Sequence, residues 1–445
     1  MDFLNSKIKT IYFRYLAASF GSTLISSIYA VVDMAMVGQY HGPDGSAALA
    51  VVAPIWNIIY SIGLLMGIGG SVLFSMIRGS AQGRERESNE YFTASVIGSA
   101  VLASSIWVII ALFDEPLLVA FGAGDYTLEL ARAYVAPIKF AVPLFLLNQM
   151  LSAYLRNDKN PGLATAAVLA GGIFNIFGDY FFVFVCDMGA YGAGLATAVG
   201  SAITFVVLLA HFFTKKNTLR LVRPARLGDK LRRICVTGFS TFFIDVAMGI
   251  LTILFNRQIM KYLGTNALAV YGVIVNISTF VQCCAYSVGQ AAQPILSTNF
   301  GAGLGGRIRE TLKYALGTAA VFGLIWTGLA MAVPNVFIRI FMAPTEEVLA
   351  IAPAIFRMYG ISFLLLPANV FSTYYFQALM EPGAAFVVSV GRGLAVSGIF
   401  ICLLPLLFGA DAIWLAMPLT EALTAVYVVR EMVKYTRRLP ALFFL

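Results

Sequence analysis

The sequence predicts an all-α polytopic membrane protein, with twelve transmembrane helices in two pseudo-symmetric six-helix bundles. Three observations predict it. Sixty per cent of the 445 residues are hydrophobic and only 12% are charged, a balance foreign to a soluble globule of this size. Apolar runs of membrane-spanning length recur along the whole chain. The chain is also written twice. Ala48-Leu49-Ala50-Val51 returns as Ala267-Leu268-Ala269-Val270, offset by 219 residues, and Phe121 and Ala123 return as Phe341 and Ala343, offset by 220. Pro161-Gly162 returns as Pro382-Gly383, offset by 221, and Gly189-Ala190 with Leu195-Ala196 returns as Gly409-Ala410 with Leu415-Ala416, offset by 220. Ordered matches at nearly constant spacing mark a duplication. A membrane protein of two like halves commonly keeps its working site where they face each other.

The spans, in order, are 12–38, 49–77, 91–113, 130–155, 161–185, 190–213, 234–260, 267–298, 312–340, 349–378, 383–407 and 411–433. Each exceeds the about 20 residues that cross a bilayer. Backbone groups in hydrocarbon must be satisfied within the protein, which leaves helices or a closed barrel, and apolar runs without alternation exclude the barrel. The first span reads as a membrane helix rather than a cleaved leader. The polar stretch 214–233 separates the halves as a linker, giving an N-lobe over 1–213 and a C-lobe over 234–445.

Basic residues set the expected orientation. Arg84 and Arg86, Arg156 and Lys159, the linker from Lys215 to Arg233, then Arg307, Arg309 and Lys313 all fall on even-numbered connections. The connection 39–48 has none, and 114–129 has only the acids Asp114, Glu115, Asp125 and Glu129. Both termini are therefore expected in the cytoplasm. The net charge of +8 is this bias and not a nucleic-acid footprint.

Several chemistries are missing from the pattern. There is no phosphate-binding Gly-rich loop, no H-E-x-x-H and no G-x-S-x-G. The two histidines, His41 and His211, lie too far apart for a usual metal cluster and read as solvated or interfacial. The five cysteines have no C-x-x-C spacing and read as small buried hydrophobes. An enzyme is not expected, nor any cofactor beyond a coupling ion. Transport driven by an ion gradient is the economical reading.

Ionisable groups inside spans are costly and are functional candidates by default. At 1.5 Å rise per residue, Asp33, Asn175, Asp179 and Thr197 fall within about 10 Å of one layer in the outer leaflet. Asn175 and Asp179 are i and i+4, so they share a helix face. Two carboxylates with an amide and a hydroxyl suit a proton or Na⁺; each acid has the alternative of a structural pairing. Lys139 can reach the same layer, where it either pairs with Asp33 or Asp179 or snorkels outward. In the second half, Asp245, Arg392 and Glu421 fall near the midplane, as a balanced salt-bridge network or as substrate contacts. Gln282, with Gln290 and Gln293 along the eighth span, predicts a cavity-lining face, and Asn276 is placed on the same face.

These residues resemble a family. Val32-Asp33 followed by Val37-Gly38-Gln39 looks like the first-helix signature of the multidrug and toxic compound extrusion (MATE) family. Gly67-Ile68-Gly69-Gly70-Ser71, Gln293-Pro294-Ile295 and Asn299-Phe300-Gly301-Ala302-Gly303 fit it, as do Asn175, Asp179, Gly189 and Thr197 in type and spacing. Asp245 and Asn256 resemble the bacterial branch of DinF- and MepA-like exporters, with Asp where Glu is usual. The resemblance implies a V-shaped pair of bundles that exports amphipathic, cationic drug-like molecules against an inward flow of H⁺ or Na⁺. It further implies that Asp33, Asn175, Asp179 and Thr197 form the cation site. Two positions depart from the pattern: Ala18 aligns with a common helix 1 proline, and Tyr180 with the proline that often follows the helix 5 aspartate. The expected partners are small molecules and the bilayer, with the protein a monomer. The runner-up readings are a lipid-linked oligosaccharide flippase of similar plan and, in a different class, a channel or sensor.

Overall fold

The structure, a computed structural model, describes residues 2–80, 84–341 and 344–439. Of the repeat pairs, Ala343 lies outside the described residues. Twelve helices are long and apolar enough to cross a membrane: α1 (Ile8–His41), α2 (Asp44–Ser80), α3 (Glu85–Ala120), α4 (Tyr126–Asn157), α5 (Pro161–Val185), α6 (Gly189–Phe213), α7 (Leu227–Tyr262), α8 (Thr265–Gly301), α9 (Gly305–Ala332), α10 (Glu346–Ala378), α11 (Pro382–Phe408) and α12 (Ala410–Arg438). No strand occurs among the described residues. The helices overrun the apolar runs because polar and charged ends continue the same backbone ladder. Thus α3 carries on past a non-helical Phe113 to Ala120.

The chain divides into two compact units, one of residues 17–242 and one of 3–16 with 243–445. The division does not fall at the polar linker. Residues 214–242 belong to the first unit, and α1 and α7 are each split between the two units. Helix α1 runs unbroken through Ala18, as expected of a helix without proline there.

In the first unit, α4 packs on both α2 and α6, and α5 packs on α6. The second contact is close because small residues cross there. A Cβ on Gly171 would collide with the Gly200 carbonyl oxygen and with Thr204 Oγ1. The linker is strapped to the helix ends by side chains. Asp158 accepts from the Thr218 amide (2.8 Å) and from its hydroxyl, and Arg78 donates to Thr218 Oγ1 (2.9 Å) and its carbonyl oxygen (3.1 Å). Glu90 takes the Ala225 amide (3.2 Å) and pairs with Lys230 (3.1 Å). These contacts define a linker face of the first unit.

In the second unit, α8 packs on α9 and on the Leu366–Ala378 part of α10. Helix α10 is interrupted by a 3₁₀ turn over Ile361–Leu364, and Pro367 then opens the next stretch at a position where its missing N–H costs nothing.

The duplication is visible in the backbone. Left-handed residues recur as Gly42 and Gly264, Lys159 and Met380, and Gly189 and Gly409. The turns before α5 and α11 close with the same bonds. Asn160 N–H donates to the Leu155 carbonyl oxygen (2.9 Å), and Glu381 N–H to that of Phe376 (2.8 Å). Both repeated Pro-Gly pairs open the following helix, Pro161 in α5 and Pro382 in α11.

Candidate functional site

The first unit brings the four residues of the predicted outer layer into one buried cluster. Asp33, on α1, is 4% exposed and accepts three hydrogen bonds from three different helices. Tyr134 of α4 donates its hydroxyl to Oδ2 (2.7 Å), Thr197 of α6 donates to the same oxygen (2.9 Å), and the Asn175 amide of α5 donates to Oδ1 (3.1 Å). That amide also reaches Thr197 Oγ1 (3.0 Å), which closes the ring. Three donors suit an ionised carboxylate.

Asp179 is fully buried one helical turn beyond Asn175, and neither of its oxygens meets a donor. Its carboxyl neighbours that of Asp33. Ionised carboxylates offer each other only acceptors. Asn175 Oδ1 is likewise buried without a donor. The cluster therefore leaves three buried acceptor oxygens without a donor. Immediately after Asp179 the helix widens into a π-helical turn over Tyr180–Val185. Such single turns favour functional positions, and this one begins at the residue where the family pattern has proline.

Tyr134 is a member of the cluster that the sequence does not single out, and of the two readings of Lys139 the pairing with Asp33 or Asp179 is not formed. Lys139 pairs with Asp114 of α3 (2.7 Å), which Arg132 also approaches (3.3 Å), and not with Asp33 or Asp179. On α4 the two positions are five residues apart, about 140° around the helix at 3.6 residues per turn, so depth agrees while direction does not. His211 also differs from expectation: it is fully buried and bonded to Asp158 (2.8 Å) and Asn160 (3.1 Å). His41 is half-buried at the end of α1, where its Nε2 accepts from the Ala190 amide (3.1 Å).

The second-half residues separate into two groups. Arg392 and Glu421 form a buried ion pair (2.6 Å), and Asn369 donates to the other Glu421 carboxylate oxygen (2.7 Å). Asp245 is bound by the Tyr286 hydroxyl (2.5 Å). Arg392 and Gln282 line a cavity of about 60 Å³ together with Tyr271, Tyr359, Met248 and Met417. Asn276 does not join them; it is exposed and donates to the Gly272 carbonyl oxygen of its own helix (3.1 Å). Six residues separate it from Gln282, about 240° of rotation, so the shared face expected from sequence is not formed. Among the described residues no group of three or more His, Cys, Asp or Glu is arranged to hold a metal ion.

The MatE family profile matches the chain twice, over residues 18–181 and 239–404. The matches begin 221 residues apart, the spacing of the internal repeat. Multidrug export protein MepA of Staphylococcus saprophyticus is 22% identical over 420 residues, covering 92% of this chain and 91% of that protein. MepA of Staphylococcus aureus strain MSSA476 is 21% identical over the same length and coverage. Among solved structures, an outward-facing multidrug resistance MATE family transporter of the MOP superfamily superposes with a TM-score of 0.89 at 18% identity, covering 98% of this chain and 97% of that one. The MATE multidrug transporter DinF-BH gives 0.86 at 25% identity, covering 96% and 95%.

Proposed function

The chain belongs to the MatE family, and from that premise we propose that it is a secondary antiporter exporting amphipathic, cationic drug-like compounds in exchange for H⁺ or Na⁺. The export reading is supported by its likeness to relatives named as multidrug export proteins over nine-tenths of its length. The coupling reading is carried by one observation: the fully buried Asp179 carboxyl, without a donor, beside an Asp33 already supplied with three. Asp33, Asn175, Asp179 and Thr197 hold the coupling ion, and Tyr134 orients Asp33. By the placement of basic residues, the linker face is cytoplasmic.

The cation enters from the outer side, offsets one of the two carboxylate charges and alters the packing of α1 against α5 and α6. Substrate release follows only if the cation binds the two conformations unequally. The Arg392–Glu421 pair, being neutral overall, is a structural clamp beside the second-half cavity.

Proteoliposomes with pH and sodium gradients imposed separately test this. Asp33→Asn should abolish gradient-driven drug transport while the protein still binds drug. Unchanged coupled transport in that variant would remove the coupling assignment. The gradient that drives the wild type names the ion.

A further inference from the structure

A cavity of about 50 Å³ opens inside the first unit on the linker side of the carboxylate cluster. Two cluster residues, Asn175 and Thr197, form one end of it, and Ser26, Asn148, Ser152 and Thr204 line it further along, beside Phe145 and Val168. Asn148 donates to Ser201 Oγ (3.1 Å) and to the Ser201 carbonyl oxygen (2.9 Å), yet its own Oδ1 is buried without a donor, as is Asn175 Oδ1. A cavity of this size with polar groups in its wall holds a few waters, and buried acceptors facing no protein donor are what such waters satisfy.

The polar lining continues a pattern that runs to the linker face. On α6, Thr197, Ser201, Thr204, Leu208 and His211 recur every three or four residues, all buried, and so share one helix face. On α1, Asp33, Tyr29, Ser26, Ser22 and Ser19 share a face by the same spacing. Leu208 alone interrupts the α6 stripe, fully buried between the cavity and His211. The His211–Asp158 pair then meets the linker through Thr218.

We propose that the coupling cation leaves Asp33 and Asp179 through the interior of the first unit, along this hydrated stripe, with Leu208 as its apolar barrier and the His211–Asp158 pair at its inner end. Cation and drug then travel by separate routes, which prevents the cation from having to pass a bound substrate. A path broken by a single apolar side chain is closed at rest, as an antiporter requires, and needs only a small rearrangement to open. The proposal rests on the reading of Asp33 and Asp179 as the coupling site.

The full chain in proteoliposomes, with cation flux and equilibrium drug binding measured separately, tests it. Ser152→Leu fills the cavity without touching the carboxylate cluster. It should slow coupled cation flux by about tenfold, the effect of roughly 1.4 kcal/mol on the barrier, with drug affinity unchanged. Leu208→Ser hydrates the barrier and should produce a drug-independent cation leak that Asp33→Asn removes. Wild-type flux through Ser152→Leu overturns the route, and so does a Leu208→Ser leak that survives Asp33→Asn. Should Ser152→Leu fail to fold, Leu208→Ser decides alone, and absence of a leak overturns the route. If Asp33→Asn abolishes coupling while these variants behave as wild type, only the route fails. If Asp33→Asn keeps coupling, the site itself is misassigned.

Discussion

Tyr134 supplies one of the three hydrogen bonds to Asp33, and it does so from a helix that carries no other member of the cluster. Bonds to an ionised group contribute about 1.5–3 kcal/mol each, and they favour the form that has released its cation. Tyr134→Phe therefore leaves a carboxylate that holds its cation more tightly, and coupled drug transport should fall about tenfold or more. Lys139→Met provides the contrast. It strips Asp114 of its nearest partner but touches nothing in the cluster, so melting temperature should drop while coupling in proteoliposomes stays at the wild-type level. Equal transport defects in both variants would sink the assignment of Tyr134. The contrast also shows what a sequence carries. Depth follows from counting residues, so Asp33, Asn175, Asp179 and Thr197 are legible as one layer. Azimuth needs the packing of the neighbouring helices, and Tyr134 is one of 20 tyrosines in a chain where interfacial belts are the default reading.

Helices α5 and α6 meet closely enough for Asn175 to bond Thr197 because Gly171 and Gly200 leave no side chain between them. Gly171→Ala would place a Cβ against backbone, which cannot yield as a flexible side chain can. Separating the helices should cost about 1–3 kcal/mol of stability, measured as a lower melting temperature, together with weakened cation binding. By contrast, a Cβ at Gly162 meets nothing within 4 Å, so Gly162→Ala should leave both measurements unchanged. The paired turns before α5 and α11 have the same origin in covalent geometry. Lys159 and Met380 adopt left-handed conformations (φ 61° and 59°) unusual for side-chain-bearing residues, each two positions before a proline that opens a helix. Pro161-Gly162 and Pro382-Gly383 are legible as a repeat because proline constrains the backbone wherever it stands. The π-helical turn after Asp179 is not, since nothing in Tyr180-Phe181-Phe182 distinguishes it from ordinary apolar helix.

Over the whole chain, the two units repeat a helix plan but not its chemistry. The first holds two neighbouring acids, and the second a neutral arginine–glutamate pair with Asp245 held apart from it by Tyr286. With coupling at Asp33 and Asp179 as proposed, the direction of transport depends on which side of the membrane the first unit's outer connections occupy. Native Cys186 reports this directly. It is exposed and follows α5 at the end opposite the linker face, whereas the other four cysteines lie within α7, α8 and α11. With those four replaced by serine, a membrane-impermeant maleimide should label Cys186 in intact cells. Lys216→Cys in the linker, on a background also lacking Cys186, should react only in inverted vesicles. The opposite pattern would put the linker face outside. The hydrated stripe would then lead from the carboxylates to the exterior, and a cation flowing inward would enter by it instead of leaving. Export coupled to inward flow would lose its structural basis, whatever the cluster binds.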